Sequence, residues 1–288
     1  MTAVARDILA VFKLRIGVAI MASALAGLAM SPAPAPEGWR IVALALAVLV
    51  SAAAAGAFNQ YLERDLDRLM ARTRRRPFAT GTLAAGPLWP LAIAALLVAA
   101  VGLAAVALNA VAAAFVFLGA FFYGVVYTVW LKRRTWANIV VGGASGSFAV
   151  LAGAAAADPS LGPAPLVLAV VLFLWTPPHF WSLAAALCDD YRAAGVPMLP
   201  VVAGAQAAAW VILAHTVVLV GLSLVPAFYG MGWLYLAAAV VGGVIFLRTS
   251  IVLAAAPSRR RAMANFHASL AQLGLLLAGA MADRWLAG

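Results

Sequence analysis

The chain has 288 residues, 66% of them hydrophobic and only 10% charged, with a mean hydropathy of +1.05. Apolar runs of the ~20 residues needed to cross a bilayer recur from end to end, which excludes a soluble globular domain with a polar surface. A net charge of +10 would suggest nucleic acid in a soluble protein, whereas the single cysteine, Cys188, excludes an intramolecular disulfide and a cysteine metal cluster.

In chain order, nine runs are expected to span the membrane as helices: 14–30, 41–58, 88–108, 111–130, 137–157, 165–187, 205–229, 233–253 and 263–286. Unbroken runs punctuated by Gly, Pro and charge read as helices, not as the alternating strands of an outer-membrane barrel. The run 14–30 reads as a retained first span, because no small-residue cleavage site follows it. No linker is long enough for a soluble domain, so residues 1–288 are expected to form one all-α, polytopic membrane domain. With the N-terminus in the cytoplasm, all of the 19 basic residues except Arg40 and Arg284 fall on the cytoplasmic side. That bias follows the positive-inside rule and accounts for the net charge with no nucleic-acid partner. The expected location is the bacterial cytoplasmic (inner) membrane, the lipid bilayer being the first partner. The external connections are short, and both acidic clusters fall on cytoplasmic loops.

The first cluster follows the second run: Asn59, Glu63, Arg64, Asp65 and Asp67, then Arg72, Arg74, Arg75 and Arg76. On a helix, Asn59, Glu63 and Asp67 at steps of four share a face. Carboxylate and amide oxygens suit a hard cation such as Mg²⁺, which takes one or two carboxylates plus substrate phosphates. The arginines beyond could neutralise phosphate oxygens. Taken alone, Glu63 and Asp67 would read as a solvated helix end paired with nearby arginines; Asn59 in register and a second acidic pair downstream favour the metal–phosphate reading.

A second block, Tyr127 with Lys132, Arg133, Arg134 and Asn138, is compatible with an anion clamp, although charge placement alone explains its basic residues. The third block carries Trp175, Pro177, Pro178, His179 and Trp181, then Asp189 and Asp190, then Gly195, Pro197 and Pro200. Pro177-Pro178 is expected to break or kink its helix, because each proline lacks a donor and crowds the preceding turn. By itself His179 reads as a core histidine satisfied by a freed carbonyl. Asp189 and Asp190 are either a second metal contact facing the first or an ordinary loop pair.

Taken together, these blocks resemble UbiA-type intramembrane prenyltransferases, most closely the protohaem IX farnesyltransferase (haem O synthase) branch. The resemblance rests on Asn59, Glu63, Arg64, Asp65, Asp67, Met70, Arg72, Thr73, Arg76 and Pro77, on Tyr127 to Val140, and on Trp175 to Pro200, in that order. It implies an all-helical fold around a central cavity, Mg²⁺ as cofactor, and farnesyl diphosphate and haem B as substrates. A haem A synthase or a terminal-oxidase assembly factor is the partner it suggests. It assigns Asn59, Glu63 and Asp67 to a first metal site and Asp189 and Asp190 to a second, with Lys132 in the catalytic set. Arg64, Arg133 and Tyr127 become diphosphate contacts, and His179 a haem-side contact. Three departures stand out. Lys13-Leu14-Arg15 replaces the family's Lys-Pro-Arg, residues 147–154 lack the family's Pro-Pro and Gly-aromatic pairs, and 184–188 lack a basic residue. A UbiA-type enzyme with another acceptor, such as a quinone precursor, therefore stays open. A transporter would carry ionisable groups at mid-membrane, whereas these spans are nearly free of charge.

Overall fold

Helices are the only regular elements among the described residues, 3–287, of the computed structural model. The chain opens with α1 (Ala3–Val11), which turns by 45° into α2 (Leu14–Ala29). Lys13 makes that turn in the left-handed region, at φ 50° and ψ 42°. Leu14 is then the first residue of α2. Next come α3 (Gly38–Leu62), α4 (Arg64–Leu69), α5 (Pro77–Thr80), α6 (Leu88–Ala107) and α7 (Ala110–Phe121). A π-helical stretch, Phe122–Leu131, extends α7. It is followed by α8 (Asn138–Gly142), α9 (Ala144–Ala157), α10 (Pro163–Ala186), α11 (Cys188–Ala193) and α12 (Leu199–Val202). The last three are α13 (Ala205–Leu224), which ends in a 3₁₀ turn, α14 (Trp233–Ala255) and α15 (Arg259–Ala287).

Among the described residues, seven helices are long and apolar enough to cross a membrane, or eight if the bent α1–α2 pair is one span. The ninth expected span lies in α15, which carries Asn265, His267, Ser269 and Gln272 and is less apolar for it. Asn265, Ser269 and Gln272 are completely buried against neighbouring helices, so these polar groups do not face lipid. α15 reaches from the α14 turn to the opposite end of the bundle, where Arg284 donates to the Ala33 carbonyl at 3.0 Å and Asp283 accepts from the Gly232 backbone.

The expected break at Pro177-Pro178 does not occur; α10 runs through both prolines. The φ that proline fixes is itself helical, so the cost is confined to two missing donors and local crowding. Neighbouring side chains add bonds inside the turn: Thr176 donates to the Leu172 carbonyl at 3.0 Å, and Ser182 to the Pro178 carbonyl at 2.6 Å.

At the centre, α2 crosses α9 with backbones almost touching. A Cβ on Gly27 would lie 2.1 Å from the Val150 oxygen, and one on Gly153 only 1.7 Å from the Ala24 oxygen. The small residues of 147–154 thus serve helix packing, and Ser147 adds a 2.7 Å bond to the Ala169 carbonyl on α10. At one end of the bundle the loops after α3 and α10 meet in a single apolar cluster, where Leu66 and Met70 pack with Trp181, Tyr191, Val196 and Met198. This cluster brings the two acidic segments to the same end.

Candidate functional site

Asn59, Glu63 and Asp67 are all buried, at 2–3% exposure, although no single helix carries them. α3 ends at Leu62, Glu63 joins it to α4, and Asp67 lies on α4. The backbone nonetheless keeps the step of four, since Asp67 N–H bonds the Glu63 carbonyl at 2.8 Å. The shared face expected of one helix therefore survives the junction.

Each of the three side chains is held by a base, two from distant segments and one from the loop just after α4. Lys13 Nζ donates to Asn59 Oδ1 at 2.5 Å, and Asn59 Nδ2 donates to Thr128 Oγ1 at 3.0 Å. Lys132 Nζ donates to Glu63 Oε2 at 2.5 Å. Arg76 Nη1 reaches both oxygens of Asp67, at 2.9 and 3.0 Å. The π-helical stretch supplies the roof: Tyr123 and Tyr127 stack at 5.7 Å, with Lys132 Nζ 5.7 Å from the Tyr127 ring centre and Lys13 Nζ 3.3 Å from the Tyr123 hydroxyl. π-helical turns are rare and cluster at functional sites. Tyr127 packs flat on Gly142, where a Cβ would lie 2.9 Å from its ring.

The remaining expected residues bond to partners outside this set. Arg64 folds back on the end of α3, donating to the Tyr61 carbonyl at 2.6 Å and covering the Tyr61 ring. Arg133 forms a two-pronged, exposed pair with Asp65, at 2.8 and 2.9 Å. Those bonds hold the Asp65 carboxyl below the usual carboxylate range. Asp189 is almost entirely exposed and pairs with Arg192 at 2.6 Å, while Asp190 is half-buried and its carboxylate makes no hydrogen bond. His179 is sandwiched between Trp175 and Phe266, with ring centres 4.2 and 4.5 Å away, and its Nδ1 meets Ser269 Oγ at 2.7 Å. A serine hydroxyl, and not a freed carbonyl, satisfies it. No hydrogen bond or ring contact links His179 to the carboxylates.

Sequence reasoning gave Lys13 no role beyond charge placement, and it grouped Arg76 with the other arginines that could neutralise phosphate without pairing it to Asp67. Lys13 stood in the Lys-Leu-Arg step at the start of the first long run and read equally well as a topology charge.

Magnesium wants oxygen ligands, and the cluster has them to give. Glu63 Oε1 is buried with no hydrogen-bond partner, and the oxygens of Gln60 and Asn138 are left the same way. An unpartnered buried acceptor costs about 1–3 kcal/mol, more when charged, so an ion at Glu63 would relieve a real penalty. Among the described residues no group of three or more His, Cys, Asp or Glu side chains stands together. Such an ion would therefore draw on Glu63, Asp67 and Asn59 and complete its shell from a substrate or water.

Residues 20–272 match the UbiA prenyltransferase family. The chain is 62% identical over 288 residues, covering 100% of both chains, to protoheme IX farnesyltransferase 2 of Paramagnetospirillum magneticum. It is 42% identical to protoheme IX farnesyltransferase of Gluconacetobacter diazotrophicus, covering 98% of this chain and 92% of that one. Its fold is that of a UbiA homolog from Archaeoglobus fulgidus bound to GPP and Mg²⁺, with a TM-score of 0.69, 16% identity, and coverage of 96% of this chain and 99% of the other.

Proposed function

The chain belongs to the UbiA prenyltransferase family, and from that premise we propose that it transfers the farnesyl group of farnesyl diphosphate to a vinyl group of protohaem IX, water completing the hydroxyethylfarnesyl arm of haem O. The chain is a multi-pass membrane enzyme; the proposed setting is the bacterial inner membrane, with the N-terminus and the polar end in the cytoplasm. The observation that carries the reading is the buried set Asn59, Glu63 and Asp67, facing Lys13, Lys132 and Arg76 at the end of an apolar bundle. Resemblance along the whole length to protohaem IX farnesyltransferases supports haem as the acceptor.

Glu63 and Asp67, with Asn59, would hold Mg²⁺, which when bound supplies positive charge to the departing diphosphate. Lys132 and Arg76 lie beside the same carboxylates and would take the other diphosphate oxygens, stabilising the charge as the carbon–oxygen bond breaks. Tyr123 and Tyr127 present aromatic faces beside that point, where an allylic cation would be sheltered by the attraction of a cation to a ring. The apolar bundle keeps water from that cation until the vinyl carbon has reacted. Asp190, with its carboxylate free, is the member of the second acidic pair better placed to serve a metal; Asp189 would first have to leave Arg192.

The test is mass analysis of haem extracted from cells that lack their own haem O synthase, with and without this protein. Haem carrying a hydroxyethylfarnesyl group is the expected result. Unmodified haem B alone, with the protein folded in the membrane and farnesyl diphosphate present, would overturn the acceptor.

A further inference from the structure

The oxygens that would bind the ion already carry positive partners. Glu63 Oε2 is held by Lys132, Asp67 by Arg76 and Asn59 Oδ1 by Lys13, which leaves Glu63 Oε1 alone unpartnered. Each carboxylate is thus neutralised one for one by a cation in contact. A bare divalent ion approaching the pair meets no net negative charge and is repelled by two cations at hydrogen-bond distance. The pairs are also directional. The carboxylate side chains are 3% and 4% exposed, whereas Lys132 and Arg76 are 13% and 23% exposed. In both pairs the basic side chain is the more accessible member.

We propose that Lys132 and Arg76 are exchangeable counter-ions: a diphosphate draws them off Glu63 and Asp67, and only then do the carboxylates pass to the metal. The lysine stem is long and its ammonium a mobile point charge, and the arginine fork fits a phosphate edge as readily as a carboxylate. Neither carboxylate is ever left buried without a partner, and neither base is left without an anion. Metal and diphosphate consequently bind as a coupled pair, and the coupling is reciprocal: each raises the affinity of the other by the same factor. This rests on the reading of the cluster as a metal–diphosphate site and adds the order in which that site is built.

The experiment uses the full chain in lipid nanodiscs, Mn²⁺ as the metal probe and inorganic diphosphate as the anion, with protein-retained Mn²⁺ measured after rapid filtration. The wild type should retain Mn²⁺ about tenfold more tightly when diphosphate is present. Lys132→Met and Arg76→Met should each bind Mn²⁺ alone more tightly than the wild type and gain less from diphosphate. Lys132→Arg should behave as the wild type. Equal Mn²⁺ affinity with and without diphosphate in the wild type would overturn the exchange, as would methionine variants that bind Mn²⁺ alone no better than the wild type. Mn²⁺ retained under neither condition would overturn the exchange and the metal site together. Neither prenyl chain nor haem enters this assay, so a failure to farnesylate haem leaves its result standing.

Discussion

Lys13 holds a backbone conformation that costs a residue with a side chain about 1–3 kcal/mol, and it does so at the one place where its ammonium can reach Asn59. Strain kept at such a point marks a position that the surrounding fold over-determines, and Gly56, which packs on Phe12 and Lys13, is part of that enclosure. Asp67 is the complementary case, an acid kept buried by a single guanidinium. Asp67→Asn retains shape and hydrogen bonding to Arg76 but gives up the charge, so the chain should still insert and fold. Turnover should fall by about two to three orders of magnitude, in line with losing one electrostatic contact to a transition state. Haem O formed by purified Asp67→Asn at limiting Mg²⁺ reads this directly, and a wild-type rate would remove Asp67 from the metal site. By contrast, the Asp65–Arg133 pair is exposed and contributes little to stability. Because the folded carboxyl titrates below its unfolded value, what it does contribute is present at neutral pH and is lost only as pH falls through that depressed value.

Spacing made the polar triad legible: residues four apart meet on a helix whether or not the helix is perfect, so Asn59, Glu63 and Asp67 could be grouped before any fold was known. The runs of apolar residues likewise match α2, α3, α6, α9, α10, α13, α14 and α15 to within a few residues at most ends. What spacing could not supply was the distant partners of Asn59 and Glu63. Lys13 lies 46 residues from Asn59, and Lys132 lies 69 from Glu63. The π-helical register that delivers Lys132 has no local sequence signature, and α10 stays unbroken through Pro177-Pro178. The α2–α9 crossing was hidden for the same reason, since a glycine in an apolar run does not reveal what it faces. Gly153→Ala should cost about 1–3 kcal/mol, because the new methyl would be driven into the Ala24 carbonyl. Gly102→Ala is the control: no atom within 4 Å awaits its methyl. Thermal unfolding in detergent should separate the two, and equal midpoints would mean that the crossing is looser than described.

For the molecule as a whole, the polar groups converge on one end while the opposite end is tied together by backbone contacts from Arg284 and Asp283. If α15 crosses with the rest, a reporter fused after the last residue should read on the same external side as one inserted in the turn at 158–162. Both should read opposite a reporter placed at 256–258, beside Arg259, Arg260 and Arg261. A C-terminal reporter on the cytoplasmic side would show that α15 does not traverse. The buried face of α15 has a consequence for biogenesis. Asn265 bonds to Ser182 on α10 and to Thr249 and Ser250 on α14, and Ser269 bonds to His179, so the helix arrives in lipid with partners that it cannot supply itself. A lone segment with those groups is a poor substrate for insertion. The last span should therefore leave the translocon as a hairpin with α14, late in synthesis, and lock a bundle whose earlier spans are already in place. A ribosome stalled before α15 emerges would then hold an incomplete bundle, with the polar faces of α10 and α14 open to capture by membrane quality control.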